Sequence, residues 1–254
     1  MHVHSMFSIF RKAARRSGVA AALFTFCLTL LSAGSDPSAY LHGIDVSRYQ
    51  KEVDWKHVKE SNINFAFIKA TEGDFLKDPF FDRNWEHSRQ QGIKRGAYHY
   101  YLPWVNVDQQ IELFKNTVTL QPGDLAPVLD VETFAQDVSD AQMRNDVRLW
   151  LTSIEKHYGV KPIIYTYQKF YDLKLRGHFP GYHFWIARYQ NEEPSTHPKD
   201  KMAFWQYSEK GIVKGIESPV DVNWFYGDLE DLSTFCVPAP AEQPAPATVI
   251  AQTK

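Results

Sequence analysis

Cysteine is scarce: the chain of 254 residues has two, Cys27 and Cys236. Cys27 lies in an N-terminal apolar stretch that reads as an export signal, so a processed chain keeps one thiol. No internal disulfide can then brace it, and the fold must stand on its core. Cys236, beside the tail, is expected to be inert. Acid is missing from the first 35 residues, where Arg11, Lys12, Arg15 and Arg16 carry all the formal charge. Removing those four cations takes the formal net charge from -2 to -6. A mature protein that acidic lacks the basic footprint that phosphate binding needs, which argues against nucleic acid as the main partner. The Pro/Ala tail is too short to be a wall-binding repeat module, and no internal repeat is seen elsewhere. The ten histidines form no ligand-spaced pair near the acids of interest, which disfavours a zinc hydrolase; no metal and no cofactor are expected.

The ends do not read as folded domain. Residues 1–34 resemble a signal peptide: a basic segment to Arg16, an uncharged apolar run Val19–Leu31, then Ser32, Ala33 and Gly34 as small residues for cleavage. The run is short of the roughly 20 apolar residues a bilayer span needs, so export is expected, with retention as an uncleaved anchor the alternative. That anchor would be the only membrane contact. Residues 35–39 form a linker. From Val237 the chain reads VPAPAEQPAPATVIAQTK, too rich in proline and alanine to pack and expected to form an extended tail over 237–254. One domain, 40–236, remains, expected to act as a monomer.

Within it, aromatics are abundant: seven Trp, thirteen Tyr and seventeen Phe. Rings stack on the apolar C–H faces of sugars, but they equally fill cores. Eight short apolar runs recur: HGIDVS (42–47), NFAFIKA (64–70), GAYHYY (96–101), APVLDVE (126–132), PIIYTY (162–167), HFWIARY (183–189), MAFWQYS (202–208) and VDVNWF (220–225). Helix-like stretches at Phe80–Gln91, Val107–Thr119 and Ser139–Tyr158 separate the early ones. Strand–helix alternation implies a largely parallel α/β sheet, and about eight strands permit closure into a barrel. The last three runs are joined by loops without helical pattern. The expected fold is one irregular, TIM-like (β/α) barrel with several helices missing.

Barrel active sites lie at the C-terminal ends of strands. The carboxylates assigned to that rim are Asp45 on the first run, Asp130 and Glu132 on the fourth, and Asp221 on the last. Closure would make the first and last strands neighbours and bring Asp45 to Asp221. Alternation puts Asp130 and Glu132 on one face and Val131 on the other. Two acids ending an apolar strand repel and lose hydration, a cost that a purely structural strand has no reason to carry. Cleaving a glycosidic bond needs such a set, with one protonated carboxyl for the leaving oxygen and one negative group for the charge developing on the sugar carbon. Crowding should hold at least one proton in the cluster near neutral pH. Glu132, nearer the open end, is assigned as general acid, with Asp130 stabilising charge. Their backbone spacing of about 6.6 Å along a strand is compatible with both retaining and inverting geometries. Trp205 and Trp224 lie near strand ends, where a sugar could stack, whereas Trp55, Trp85 and Trp150 fall on helical patterns and should pack against the barrel. His99 should point behind the wall, away from Tyr98 and Tyr100. Lys69 is buried by pattern, so its charge should pair with the acid cluster.

HGIDVSRYQ, FAFIKATEG, GIKRGAYHYY, PVLDVE, KPIIYTY, FWIARY, FWQYS and VDVNWF, in that order over residues 42–226, together resemble the family 25 glycoside hydrolases, the Chalaropsis-type lysozymes. The resemblance implies an incomplete β/α barrel that cleaves the β-1,4 bond between N-acetylmuramic acid and N-acetylglucosamine in peptidoglycan glycan strands. By position it implies Glu132 as proton donor, Asp130 as its partner or as helper to the substrate's own acetamido group, and Asp45 and Asp221 as the first- and last-strand aspartates. It also places Lys69, Tyr98, Tyr167 and Trp205 where the family binds sugar. Another N-acetylated glycan as substrate, or a glycan-binding protein that does not cut, are the alternative readings.

Overall fold

A computed structural model of the protein describes residues 40–239. The expected signal peptide, the linker and residues 240–254 of the expected tail lie outside the described residues. Nine strands form one sheet: β1 (Leu41–Val46), β2 (Phe65–Glu72), β3 (Leu76–Lys77), β4 (Lys94–Tyr100), β5 (Val128–Asp130), β6 (Ile163–Tyr167), β7 (His183–Ala187), β8 (Lys201–Gly211) and β9 (Val220–Phe225). Their order, β1-β9-β8-β7-β6-β5-β4-β2-β3, closes through an added β1–β2 pairing, so eight strands make a barrel and β3 is a short hairpin arm on β2.

Seven barrel strands run parallel, while β9 is antiparallel to both β8 and β1. The cause is the link. A parallel return needs a crossover of a dozen or more residues, and only residues 212–219 separate β8 from β9. The chain can only turn back. This reversal carries Asp221, the second residue of β9, to the same rim as the C-terminal ends of the other strands. In a parallel strand it would sit at the opposite end.

The expected helices form as α2 (Phe81–Gln90), α3 (Val107–Thr117) and α4 (Asp140–Tyr158), joined by a short α1 (Trp55–Glu60). Ser139 caps α4 by accepting from Gln142 N, and Gly159 ends it at φ 71°, where a side chain would be strained. Between β6 and β7 lie one turn of helix, α5 (Gln168–Phe170), and a wider turn over Tyr171–Leu175; α6 (Leu229–Ser233) follows β9. No helix links β7 to β8, so the barrel is incomplete on that side. Among the described residues no helix is long and apolar enough to cross a membrane.

Two cores result. One lies between strands and helices, around Trp55, Phe114, Val147 and Trp150. The other fills the barrel with Phe65, Phe67, Trp185, Phe204 and Phe225. The large β2 rings fit because their register partners are glycines: Gly43 faces Phe65 and Gly96 faces Phe67. A Cβ at Gly43 would lie 2.2 Å from the Phe65 ring, and one at Gly96 would lie 2.7 Å from that of Phe67. The closed end of the barrel is plugged by Leu232, Phe235 and Cys236. Cys236 is buried there, and burial pushes its thiol up, which suits a packing role. His99 lies behind the wall, fully buried, with Nδ1 2.7 Å from Thr71 Oγ1, Nε2 3.0 Å from Gln110 Oε1, and its ring stacked on Trp150.

Candidate active site at the open end of the barrel

All four expected acids line one cleft of about 200 Å³ at the open end. Asp45 and Asp221 are direct cross-strand partners. Asp45 Oδ2 accepts from Gln206 Nε2 at 2.9 Å and from Asn223 Nδ2 at 2.8 Å. Both amides are oriented from behind. Asn223 Oδ1 accepts from the Trp185 indole at 2.8 Å, and an indole N–H can only donate, so the Asn223 NH2 must face Asp45. Gln206 Oε1 likewise accepts from the Tyr165 and Tyr189 hydroxyls, at 2.9 and 2.7 Å.

This clamp splits the two aspartates electrostatically. Burial pushes Asp45 up to about 6, against the hydrogen bonds of Asn223, Gln206 and Asp221, which hold it down. Among the described residues Asp221 has no such amide donors; burial, then the charge of Asp45 and its hydrogen bond to Asp45, push it up to about 8. At neutral pH Asp221 therefore keeps a proton and donates it to an ionised Asp45, and the pair carries a single negative charge.

Across the mouth, Asp130 ends β5, and Glu132 follows two residues on. Backbone bonds of 2.9 Å, from Tyr101 N to Asp130 O and from Val131 N to Tyr165 O, extend the ladder past the strand's last residue. Val131 packs into the helix-side core, while Asp130 and Glu132 both face the cleft. Asp130 is 6% exposed, and its Oδ1 has no hydrogen-bond partner among the described residues. Burial raises it well above the usual carboxylate range, the charge of Glu132 adds to that, and Lys69 opposes. Glu132, nearer solvent, is raised by burial, opposed by Lys69 and further raised by Asp221. Both carboxyls therefore hold their protons more tightly than they would in open water.

Lys69 is buried at the cleft wall, as its pattern implied, but its direct ionic partner is Glu72, at 2.7 Å. It reaches Asp130 and Glu132 only through space. The Tyr100 ring lies 4.7 Å from its ammonium, a second stabilising contact. Tyr98 lines the cleft. Tyr167 does not reach it; it lines a neighbouring hollow that shares Glu132 and Tyr165 with the cleft. Trp205 is not brought to the site. It alternates with Phe204 and Gln206, which point into the barrel, so its own ring lies outside the wall, 4% exposed, edge-on to Trp224 and bonded to Arg188 O at 2.9 Å. Trp224 stacks on Tyr207 out there as well. The tryptophan in the cleft is Trp185.

Sequence reasoning passed over Trp185, Gln206, Asn223 and Glu72. A signal existed for three of them. Gln206 has the parity of Phe204, Asn223 that of Asp221, and Trp185 that of Ala187, so each pair shares a face.

Paired carboxylates with raised proton affinity, over an aromatic floor at the mouth of a β/α barrel, have the architecture of a glycoside hydrolase site. Residues 44–216 match the glycosyl hydrolases family 25, and the chain belongs to that family. It is 46% identical over 207 residues to a protein of Escherichia coli K12 named YegX, covering 78% of this chain and 75% of that one. It is 32% identical to lysozyme M1 of Streptomyces globisporus, covering 78% and 72%. The solved family 25 glycosyl hydrolase of Bacillus anthracis superposes with a TM-score of 0.74 at 32% identity, over 79% of this chain and 95% of that one. The matched segment ends before β9, so Asp221 and Asn223 join the site on the strength of the fold.

Proposed function

We propose that the protein is an exported N-acetylmuramidase that cleaves the β-1,4 bond between N-acetylmuramic acid and N-acetylglucosamine in peptidoglycan. The observation that carries this reading is the position of Glu132. It is the one acid shared by the cleft and the hollow beside it, and therefore lies at the cleft's mouth, where a glycosidic oxygen can reach it. Glu132 gives its proton to the glycosidic oxygen as the bond to the sugar carbon breaks. Asp130 lies deeper. Its unpartnered Oδ1 suits the N–H of the substrate's 2-acetamido group, holding that group's carbonyl oxygen against the sugar carbon or stabilising the positive charge that develops there. The Asp45–Asp221 pair supplies one fixed negative charge on the far side, and Lys69 keeps the cluster from neutralising entirely. The lysozyme named above supports the substrate class, and the N-terminal run Val19–Leu31 supports export.

The test is to digest purified peptidoglycan, reduce the new ends with borohydride and identify the amino sugar converted to its alcohol. Muramic acid alcohol is expected. Glucosamine alcohol alone, or no new ends, would remove the muramidase assignment.

A further inference from the structure

Beyond Glu132 the cleft does not end at the rim. A hollow of about 470 Å³ shares Glu132 and Tyr165 with it, and a second of about 460 Å³ shares Gln168, Lys169, Arg188 and Gln190 with the first. Together they form a lane along the ends of β6 and β7, on the side where the helix between β7 and β8 is missing. The lane's charge is the inverse of the cleft's. The cleft holds four acids and one lysine. Past Glu132 the lane holds Lys169, Arg176 and Arg188 against the single acid Asp172, in a chain whose formal net charge is -2.

These cations are not equally committed. Arg176 is a strut: Nε and Nη2 bond Asp172 Oδ1, and Nη2 also bonds Ser195 O. Arg188 spends Nη1 on Glu193 O and pairs through Nη2 with Glu192, whose side chain is 83% exposed and free to swing away. Lys169 is exposed and makes no ion pair or hydrogen bond among the described residues. Lys169 thus has no counter-ion among the described residues and Arg188 only an exposed one, positive charge that a neutral sugar has no need of and that an arriving anion would satisfy. The lane is also far roomier than one sugar substituent requires.

We propose that this lane seats the carboxylate-bearing stem peptide carried by the muramic acid residues, so that the enzyme prefers peptide-bearing glycan to bare glycan. The proposal rests on the muramidase reading and refines its substrate. Lys169 and Arg188 pair with peptide carboxylates, while Tyr189, whose hydroxyl bonds Gln206 and through it Asp45, forms the wall joining lane to cleft.

The experiment compares kcat/KM on intact peptidoglycan glycan and on the same glycan stripped of its peptides by an amidase. Lys169→Ala should lower the intact-to-stripped ratio roughly threefold, and Lys169→Glu about tenfold, as expected for loss and reversal of an exposed ionic contact. Salt at 0.5 M should lower the parent's ratio, and lower that of Lys169→Ala by less, since only Arg188 remains to be screened. Lys169 makes no structural contact, so unchanged melting temperatures are expected. A ratio that stays constant or rises in both variants would overturn the proposal, since the lane would then serve the glycan itself or nothing. A parent that exposes no muramic acid ends on either substrate would instead remove the muramidase reading, and the lane's role with it.

Discussion

At the scale of single residues, Asp45 owes its charge to two neutral side chains. Gln206 and Asn223 donate to the same oxygen, and each is aimed by a donor behind it. Without that clamp, two buried aspartates facing each other would have no reason to divide one proton unequally. Asn223→Ala removes a donor that holds Asp45 down, so the Asp45 pKa must rise above about 6. The acidic limb of the kcat/KM profile should then move to higher pH, with the basic limb little changed; coincident acidic limbs in variant and parent would show that Asp45 does not act as the anion. The four acids were legible in the sequence because carboxylates on apolar strands violate an ordinary burial preference. The amides were not, since Gln and Asn on a strand break no rule strongly. The same limit explains Trp205: its residue type suited sugar stacking, and only its parity with respect to Phe204 decided against it.

At the scale of elements, the packing of β2 depends on absences on its neighbours. Phe65 and Phe67 occupy the barrel because Gly43 and Gly96 have no side chains. Gly96→Val would push atoms into the Phe67 ring and the Leu125 side chain, an overpacking that costs about 1–3 kcal/mol. Chemical denaturation should show that loss; a variant as stable as the parent would mean the interior can rearrange. Near the closed end, Arg95 meets Asp124 in a two-point ion pair, buried at 2% and 6% exposure, with the Trp85 ring beneath the guanidinium. Asp124→Ala strands that charge and should cost about 3–5 kcal/mol by the same measurement. The strands were legible as short apolar runs because the barrel buries both their faces, and the three long helices by periodicity because each buries one face. The direction of β9 was not in its own pattern, which reads alike both ways. It follows from the length of the preceding link, and it alone brings Asp221 to the mouth.

At the scale of the molecule, the chemistry and the two ends of the described segment lie at opposite poles of the barrel. The described chain enters at Tyr40, at the start of β1, and leaves through Phe235–Val237, which seals the closed end: Ala126 N bonds Phe235 O, and Val237 N bonds Asp124 O, each at 2.8 Å. Removing residues 240–254 should therefore leave turnover and melting temperature intact. Stopping after Gly227 strips Leu232, Phe235 and Cys236 from the core and should lower the melting temperature markedly. The stored protons also tie stability to pH. Asp45 and Asp221 have folded-state pKa values raised to about 6 and about 8. Their contribution is fully present below the ordinary carboxylate range and is lost as pH rises through those values. Asp221→Asn cannot ionise, so its stability should decline less than the parent's between pH 5 and pH 9.

Four acids from distant segments converge on one rim, and in the proposed reaction Glu132 delivers the proton. The direct test is the turnover of Glu132→Gln on purified peptidoglycan, with circular dichroism and melting temperature measured on the same sample. A native spectrum is expected, with kcat reduced by about 100-fold or more, the scale of a lost general acid. A correctly folded Glu132→Gln that turns over within a few-fold of the parent would contradict this role of Glu132.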